Sequence, residues 1–312
     1  MRFLHSKTLE FREFPNHEVV VYAILSHTWG PDEVLFHELD GLNSDNTPQV
    51  IKQKSGYQKI QACCGQAASD GFEYAWVDTC CIDKRSSAEL SEAINSMYRW
   101  YQDCAVCYAF LADVPNDVDA TTQRQKFEQS RWFTRGWTLQ ELIAPHVLEF
   151  YGDQWISRGQ EASLGTQRSL SDVISNLTRI PSPVLLREVR LSYYCISQKM
   201  SWAAGRKTTR VEDRAYSLMG LFNINMPLLY GEGNRAFFRL QEELMKVSAD
   251  ETLFAWEMRS IPDYPGLLAY SPDNFVNSAL IDQHESLIGS TQRTTPFSVT
   301  NMGLRMEVML LK

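Results

Sequence analysis

Between residues 18 and 151, short continuous apolar runs alternate with stretches whose apolar residues recur every three or four positions. The runs 18–25 (EVVVYAIL), 72–78 (FEYAWVD), 104–111 (CAVCYAFL) and 147–151 (VLEFY) have the length and the β-branched or aromatic content of buried strands. Between the first two, Tyr57, Ile60, Cys63, Cys64, Ala67 and Ala68 keep helical spacing, and Asp70-Gly71 stops the helix. Leu90, Ala93, Ile94, Met97, Tyr98 and Tyr101 form a second helical stripe, with Ser86 and Glu89 spaced as a capping box at its start. Residues 134–143 (TRGWTLQELI) read as a third helix, ended by Pro145. Strands and helices in this order predict an α/β fold, a parallel sheet with helices on both faces.

Residues 31–56 carry Pro31, Gly41, Asn43, Asn46, Pro48 and Gly56 and read as a long loop; the polar stretch 115–125 reads as a surface loop. The second half is more helical. Thr209 and Glu212 are placed to cap a helix bearing Val211, Ala215, Leu218 and Met219. Asn234 is placed to cap another, with Phe237, Leu240, Leu244 and Val247 as its stripe. Residues 252–256 and 304–310 read as strands. The expected organisation is an α/β core over 1–155, a helical extension over 156–256 and a β-containing tail over 257–312.

Charge and motifs narrow the function. The 30 basic and 38 acidic residues give a net charge of −8, which argues against a nucleic-acid partner. No apolar run approaches the roughly 20 residues of a spanning helix. The opening MRFLHSKTLEFREF lacks a secretory h-region, and seven cysteines without an export signal read as reduced thiols, so a cytoplasmic location is expected. No GxGxxG, P-loop, GxSxG or HExxH motif is present. Cys104 and Cys107 form a CxxC, but inside a strand-like run, and no metal site is expected.

Parallel sheets bind ligands beyond the carboxyl ends of their strands. Those ends are Ser26 to Trp29, Asp78 to Asp83 and the loop after Leu111. Glu141 lies four residues after Trp137, so both project from one helical face. An indole beside a carboxylate offers a wall for a flat ring and an anion for a cationic, sugar-like transition state. The plainer reading pairs Glu141 with Arg131 or Arg135. His27 with Cys80 or Cys81 fits a thiol hydrolase, although adjacent thiols at a strand end are more often packing groups. Asp78 suits a ribose hydroxyl, and equally a turn with Thr79. The run Arg206 to Arg210 beside Glu212 and Asp213 fits a phosphate patch or an ion-pair network at a helix start.

Three segments, YAILSHTWG (22–30), WVDTCCIDK (76–84) and RGWTLQEL (135–142), closely resemble the fungal heterokaryon incompatibility (HET) domain, and TTRVEDRAYSLMGLFNINMPLLYGEG (208–233) resembles the stretch that follows it. The resemblance covers most of residues 1–256. It implies a role in the cell death that follows fusion of incompatible fungal cells, a form of innate immunity, and a distant kinship with TIR domains. It therefore implies a flavodoxin-like core that hydrolyses NAD+ as substrate, with no resident cofactor. Trp137-Thr138-Leu139-Gln140-Glu141-Leu142 matches the TIR Trp-x-x-x-Glu pattern, which makes Glu141 the expected catalytic residue. Ser26, His27, Trp29, Asp78 and Trp137 are the expected substrate contacts. A homo-oligomer and an upstream receptor or sensor are the expected partners. The CysCysIleAspLys loop after Asp78 departs from the TIR pattern. A non-enzymatic death-signalling module and a Cys/His hydrolase are the alternatives.

Overall fold

Every residue from Tyr22 to His27 is buried, as a strand covered on both faces requires. In the computed structural model, which describes residues 1–15, 17–155, 163–258, 266–281, 297–300 and 303–305, that segment is the centre of a seven-stranded sheet. The strands are β1 (Arg2–His5), β2 (Phe11–Glu13), β3 (Tyr22–His27), β4 (Tyr74–Trp76), β5 (Val106–Phe110), β6 (Leu148–Tyr151) and β7 (Ser163–Thr166). Their order is β2-β1-β4-β3-β5-β6-β7. The four predicted strands pair in parallel, β4 and β5 flanking β3, and β6 beyond β5.

The sheet is mixed, not wholly parallel as expected. β1 and β2 add antiparallel at one edge and β7 at the other. A hairpin needs only a tight connection, so β1 and β2 form within the first residues without a helical crossover. The compact unit continues past residue 155 because β7 hydrogen-bonds to β6; its bounds are Met1–Leu177, and a second unit spans Thr178–Lys312.

Four helices longer than one turn lie between these strands in the sequence: α1 (Ser55–Ser69), α2 (Ser87–Asp103), α3 (Ala120–Glu128) and α4 (Thr138–Ile143). The chain steps from β3 to β4 on one side, then back across β3 to β5. Right-handed crossovers then put α1 on one face and α2 on the other. Contacts agree: α1 packs on β3 and β4, while α2 and β3 both pack on α4. Ser86 caps α2 by accepting from the Glu89 N–H at 3.3 Å. Tyr22 and Tyr101 donate their hydroxyls to Trp100 O at 2.6 Å and Leu25 O at 2.9 Å, which ties α2 to β3.

Several expectations are corrected locally. β3 starts at Tyr22 rather than at residue 18, because residues 17–19 form a 3-10 turn that leaves Val19 exposed. Ser26 and His27 are strand residues, not loop residues. The 115–125 stretch is a loop only at its start. Asp119 accepts from the N–H groups of Thr121 and Thr122 and so begins α3. The 31–56 stretch contains two one-turn helices, Phe36–Leu39 and Gln49–Lys52.

Gly56, in the first turn of α1, lies against this stretch. A Cβ there would stand 2.7 Å from Asp32 O and Glu33 Cα and 2.8 Å from Val34 N, all of them backbone atoms. Gly56→Ala therefore forces a shift of the 32–34 backbone. The expected cost is about 1–3 kcal/mol, read as a lower urea midpoint.

In the second unit the largest helix is Arg235–Val247, with Phe237, Leu240 and Leu244 buried as expected but Val247 exposed. Asn234 sits at its cap position without a side-chain cap bond. Gln241 closes a bond pair with Ala269, donating to its carbonyl and accepting from its N–H, both at 2.9 Å. The helix expected after Thr209 is only Asp213–Tyr216, and the Glu212 carboxylate accepts from the N–H groups of Gly231 and Gly233 instead of capping it. Arg214 pairs with Asp273 at 3.2 Å. Residues 252–256 are not a strand. Asp250 accepts from Thr252 N–H and starts a 3-10 turn over Glu251–Phe254. Of the strand expected at 304–310, residues 304–305 belong to Gly303–Arg305, which pairs with Ser298–Thr300; 306–310 lie outside the described residues. Among the described residues no helix is long and apolar enough to cross a membrane.

Candidate active site

Ser26 and His27 end β3, and consecutive strand residues point to opposite faces. The two side chains accordingly enter different polar clusters at the carboxyl rim of the sheet. Ser26, fully buried, donates its hydroxyl to Glu141 Oε2. It accepts from the indole N–H of Trp132 at 2.8 Å. Glu141 sits in the first turn of α4 and is only 6% exposed. Trp132 belongs to a 3-10 turn, Arg131–Thr134, that leads into α4. Thr138, the first residue of α4, donates its hydroxyl to Trp132 O and fastens the two segments together.

On the other face, His27 Nε2 lies 2.8 Å from Asp78 Oδ1, and the Trp29 indole donates to Asp78 Oδ2 at 2.9 Å. Lys84 approaches the same carboxylate at 4.0 Å and stands 3.5 Å over the Trp29 ring. Behind His27, Glu33 Oε1 accepts from Lys59 at 2.5 Å and from the Gly30 N–H at 2.7 Å, and lies 3.8 Å from His27 Nδ1.

The charges follow from these neighbours. Burial, then the Lys59 charge, push the His27 imidazole below its ordinary value, so it is neutral and donates from Nε2. Burial opposes ionisation of Asp78, but Lys84 and the His27 and Trp29 bonds outweigh it and hold the carboxyl below the usual range. Burial lowers Lys84. The Tyr101 hydroxyl is raised by burial first, then by the charges of Glu141 and Asp78 among others, so both carboxylates act on one buried hydroxyl at this end of the sheet.

The His27 shift predicts a pH effect. Its folded value lies below 6.5, so the unfolded chain takes up the proton first. The stability it contributes is complete above about pH 6.5 and is lost as pH falls toward the folded value. The urea midpoint should drop as pH falls below about 6.5, and His27→Gln should flatten that part of the curve. Asp78, also depressed, loses its contribution only as pH falls below 3.8.

The structure thus joins Ser26 with Glu141, and His27 and Trp29 with Asp78. Trp137 is half-buried at the start of α4, outside both networks. Trp132, not singled out from the sequence, is the indole that reaches the Glu141 cluster, and Glu33 and Lys59 were hidden in the stretch read as loop and in the α1 stripe. The thiol-hydrolase expectation is corrected. Cys80 and Cys81 are buried, Cys80 is pushed well up by burial, and the two sulfurs bond to the Val77 backbone. A thiolate nucleophile is disfavoured in such a setting. Among the described residues no three His, Cys, Asp or Glu side chains converge as a metal-binding set.

The profile of the family "Heterokaryon incompatibility protein (HET)" matches residues 22–125. Over 243 residues the chain is 46% identical to "Vegetative incompatibility protein HET-E-1" of Podospora anserina. The chain belongs to the heterokaryon incompatibility family. The aligned stretch covers 75% of this chain and 17% of that relative, so the chain spans about one sixth of the relative's length. No solved structure matches the chain. The profile span of the HET domain contains Ser26, His27, Trp29, Asp78 and Lys84, and ends before Trp132 and Glu141. Both polar clusters therefore start from the HET domain's own strands, β3 and β4, while the carboxylate of the first comes from the α4 segment just beyond.

Proposed function

We propose that this chain is a cell-death effector of fungal incompatibility that hydrolyses NAD+ at the nicotinamide–ribose bond. The observation that carries the proposal is the near-complete burial of Glu141 at the carboxyl rim, in a bond with Ser26. The parallel strands run second-first-third-fourth across the sheet, which supports a flavodoxin-like and hence TIR-like core.

In this reading the C1′–N bond breaks heterolytically and its electron pair leaves with nicotinamide, which departs neutral. Glu141 faces the ribosyl cation and stabilises the developing charge in a site of low dielectric. Water then adds to C1′ and releases a proton, giving ADP-ribose. Asp78 holds a ribose hydroxyl or the water. Trp29, exposed at the rim, and Trp137 offer aromatic faces to the flat rings, with Ser26 and His27 lining opposite walls. Self-association completes the site, and an upstream sensor triggers it.

Purified protein mixed with NAD+, alone and after forced self-association, should release nicotinamide. No release in either state overturns the reading. A non-enzymatic death-signalling module is favoured by one observation: both Asp78 oxygens and the Ser26 proton are already bonded within the fold. That alternative predicts cell death while cellular NAD+ stays constant up to membrane failure.

A further inference from the structure

We infer that Trp132 is a positioning residue that, through Ser26, holds the Glu141 carboxyl group in a fixed orientation; the role in turnover rests on the NAD+-cleavage reading. The direction of the bonds follows from proton count. An indole N–H only donates, so Ser26 Oγ, 2.8 Å away, must accept from it. A serine hydroxyl has one proton. With the Trp132 bond made, that proton points at Glu141 Oε2, which therefore acts as an acceptor. The indole also polarises the hydroxyl, and a chain of two bonds is stronger than either alone.

Trp132 is built for this task. Its ring is fully buried and wedged edge-on between Phe133, at 5.1 Å, and Phe150, at 5.6 Å. Its backbone is fixed at both ends. The N–H donates to Ser130 Oγ at 3.3 Å, and the carbonyl accepts from Thr138, the residue that opens the helix carrying Glu141. The indole and the carboxylate are thereby locked to the same short segment, with Ser26 of β3 between them. A tryptophan chosen for packing alone would need a partner for its N–H, but not this one.

The test uses the full chain and five variants: Ser26→Ala, Trp132→Phe, their double variant, Glu141→Gln for assignment, and Trp132→3-benzothienylalanine, which keeps the bicyclic shape and lacks the N–H. Two readouts are taken. One is nicotinamide release across pH. The other is titration of the Glu141 carboxyl by 13C NMR, assigned by its loss in Glu141→Gln, which needs no activity. Positioning predicts that both Trp132 variants lower kcat about 3–10-fold with KM unchanged. It predicts that the Glu141 titration midpoint rises by about half to one pH unit, and rises further in Ser26→Ala. It also predicts that adding Trp132→Phe to Ser26→Ala changes neither readout further. An unchanged midpoint in the benzothienyl variant, or Trp132 and Ser26 effects that simply add, would overturn it. If the wild type releases no nicotinamide, the NAD+ reading fails, while the titration still decides whether Trp132 orients the carboxylate.

Discussion

Under the proposed NAD+ cleavage, Glu141→Gln is expected to reduce nicotinamide release by about a thousandfold or more, with the fold retained. The substitution keeps the shape and leaves an oxygen that still accepts from Ser26. What it removes is one negative charge, at a position only 6% exposed. In water a lost charge is replaced by solvent. In a buried site it is not, and the ribosyl cation then forms without its counter-ion. A thousandfold loss corresponds to about 4 kcal/mol of transition-state stabilisation, within the range of preorganised electrostatic groups. Because the effect appears as charge develops, kcat should carry it, with KM nearly unchanged. Glu141→Ala should be as inactive but less stable, since the Ser26 hydroxyl loses its acceptor in the core. A Glu141→Gln protein with more than a tenth of wild-type activity would show that another group carries the chemistry. Circular dichroism and thermal midpoints separate that outcome from misfolding.

The parts of the fold that follow a period were legible. Helix α1 and helix α2 stand where the three- and four-residue spacing put them, and Ser86 caps α2 through Glu89 N–H. The four parallel strands were found as apolar runs. The edges were not, because β1 and β2 are short and carry no continuous apolar run. The carboxyl-rim rule pointed, without a long-range contact, to Ser26, His27, Trp29 and Asp78, which the structure places at or just beyond the ends of β3 and β4. It could not show that the β3 pleat sends Ser26 and His27 to opposite faces, since that depends on where the strand ends, and the apparent stop before Ser26 was misplaced. Trp137, the N-cap residue of α4, already has helical backbone and keeps its four-residue spacing to Glu141, whereas Trp132 comes from the preceding 3-10 turn and bonds Ser26, a contact that no spacing rule selects. Ser26 and Glu141 are 115 residues apart, and no spacing reports such a pair.

The ion pair of Glu33 and Lys59 makes the second large prediction. Its side chains are 6% and 8% exposed, and no period announced it. Lys59→Met should cost about 3–5 kcal/mol, because Glu33 is left buried without its ammonium, with the Gly30 N–H and a distant, neutral His27 as its neighbours among the described residues. Glu33→Met should cost as much by stranding the ammonium. Both losses would be read as falls in the urea midpoint. The double variant Glu33→Met/Lys59→Met should recover most of the loss, since neither charge then requires solvation. A double variant as unstable as the sum of the singles would mean that the pair acts by packing rather than charge. The pair also sets the state of His27. Lys59 is the charge that, after burial, lowers the imidazole. In Lys59→Met that charge is gone and Glu33 remains 3.8 Å from Nδ1. The imidazole should then protonate at higher pH, and the fall in stability below about pH 6.5 should shrink. The same variant is therefore less stable at neutral pH and less sensitive to acid. Simple loss of packing predicts only the first of these, so the slope of stability against pH distinguishes a buried charge network from a filled space.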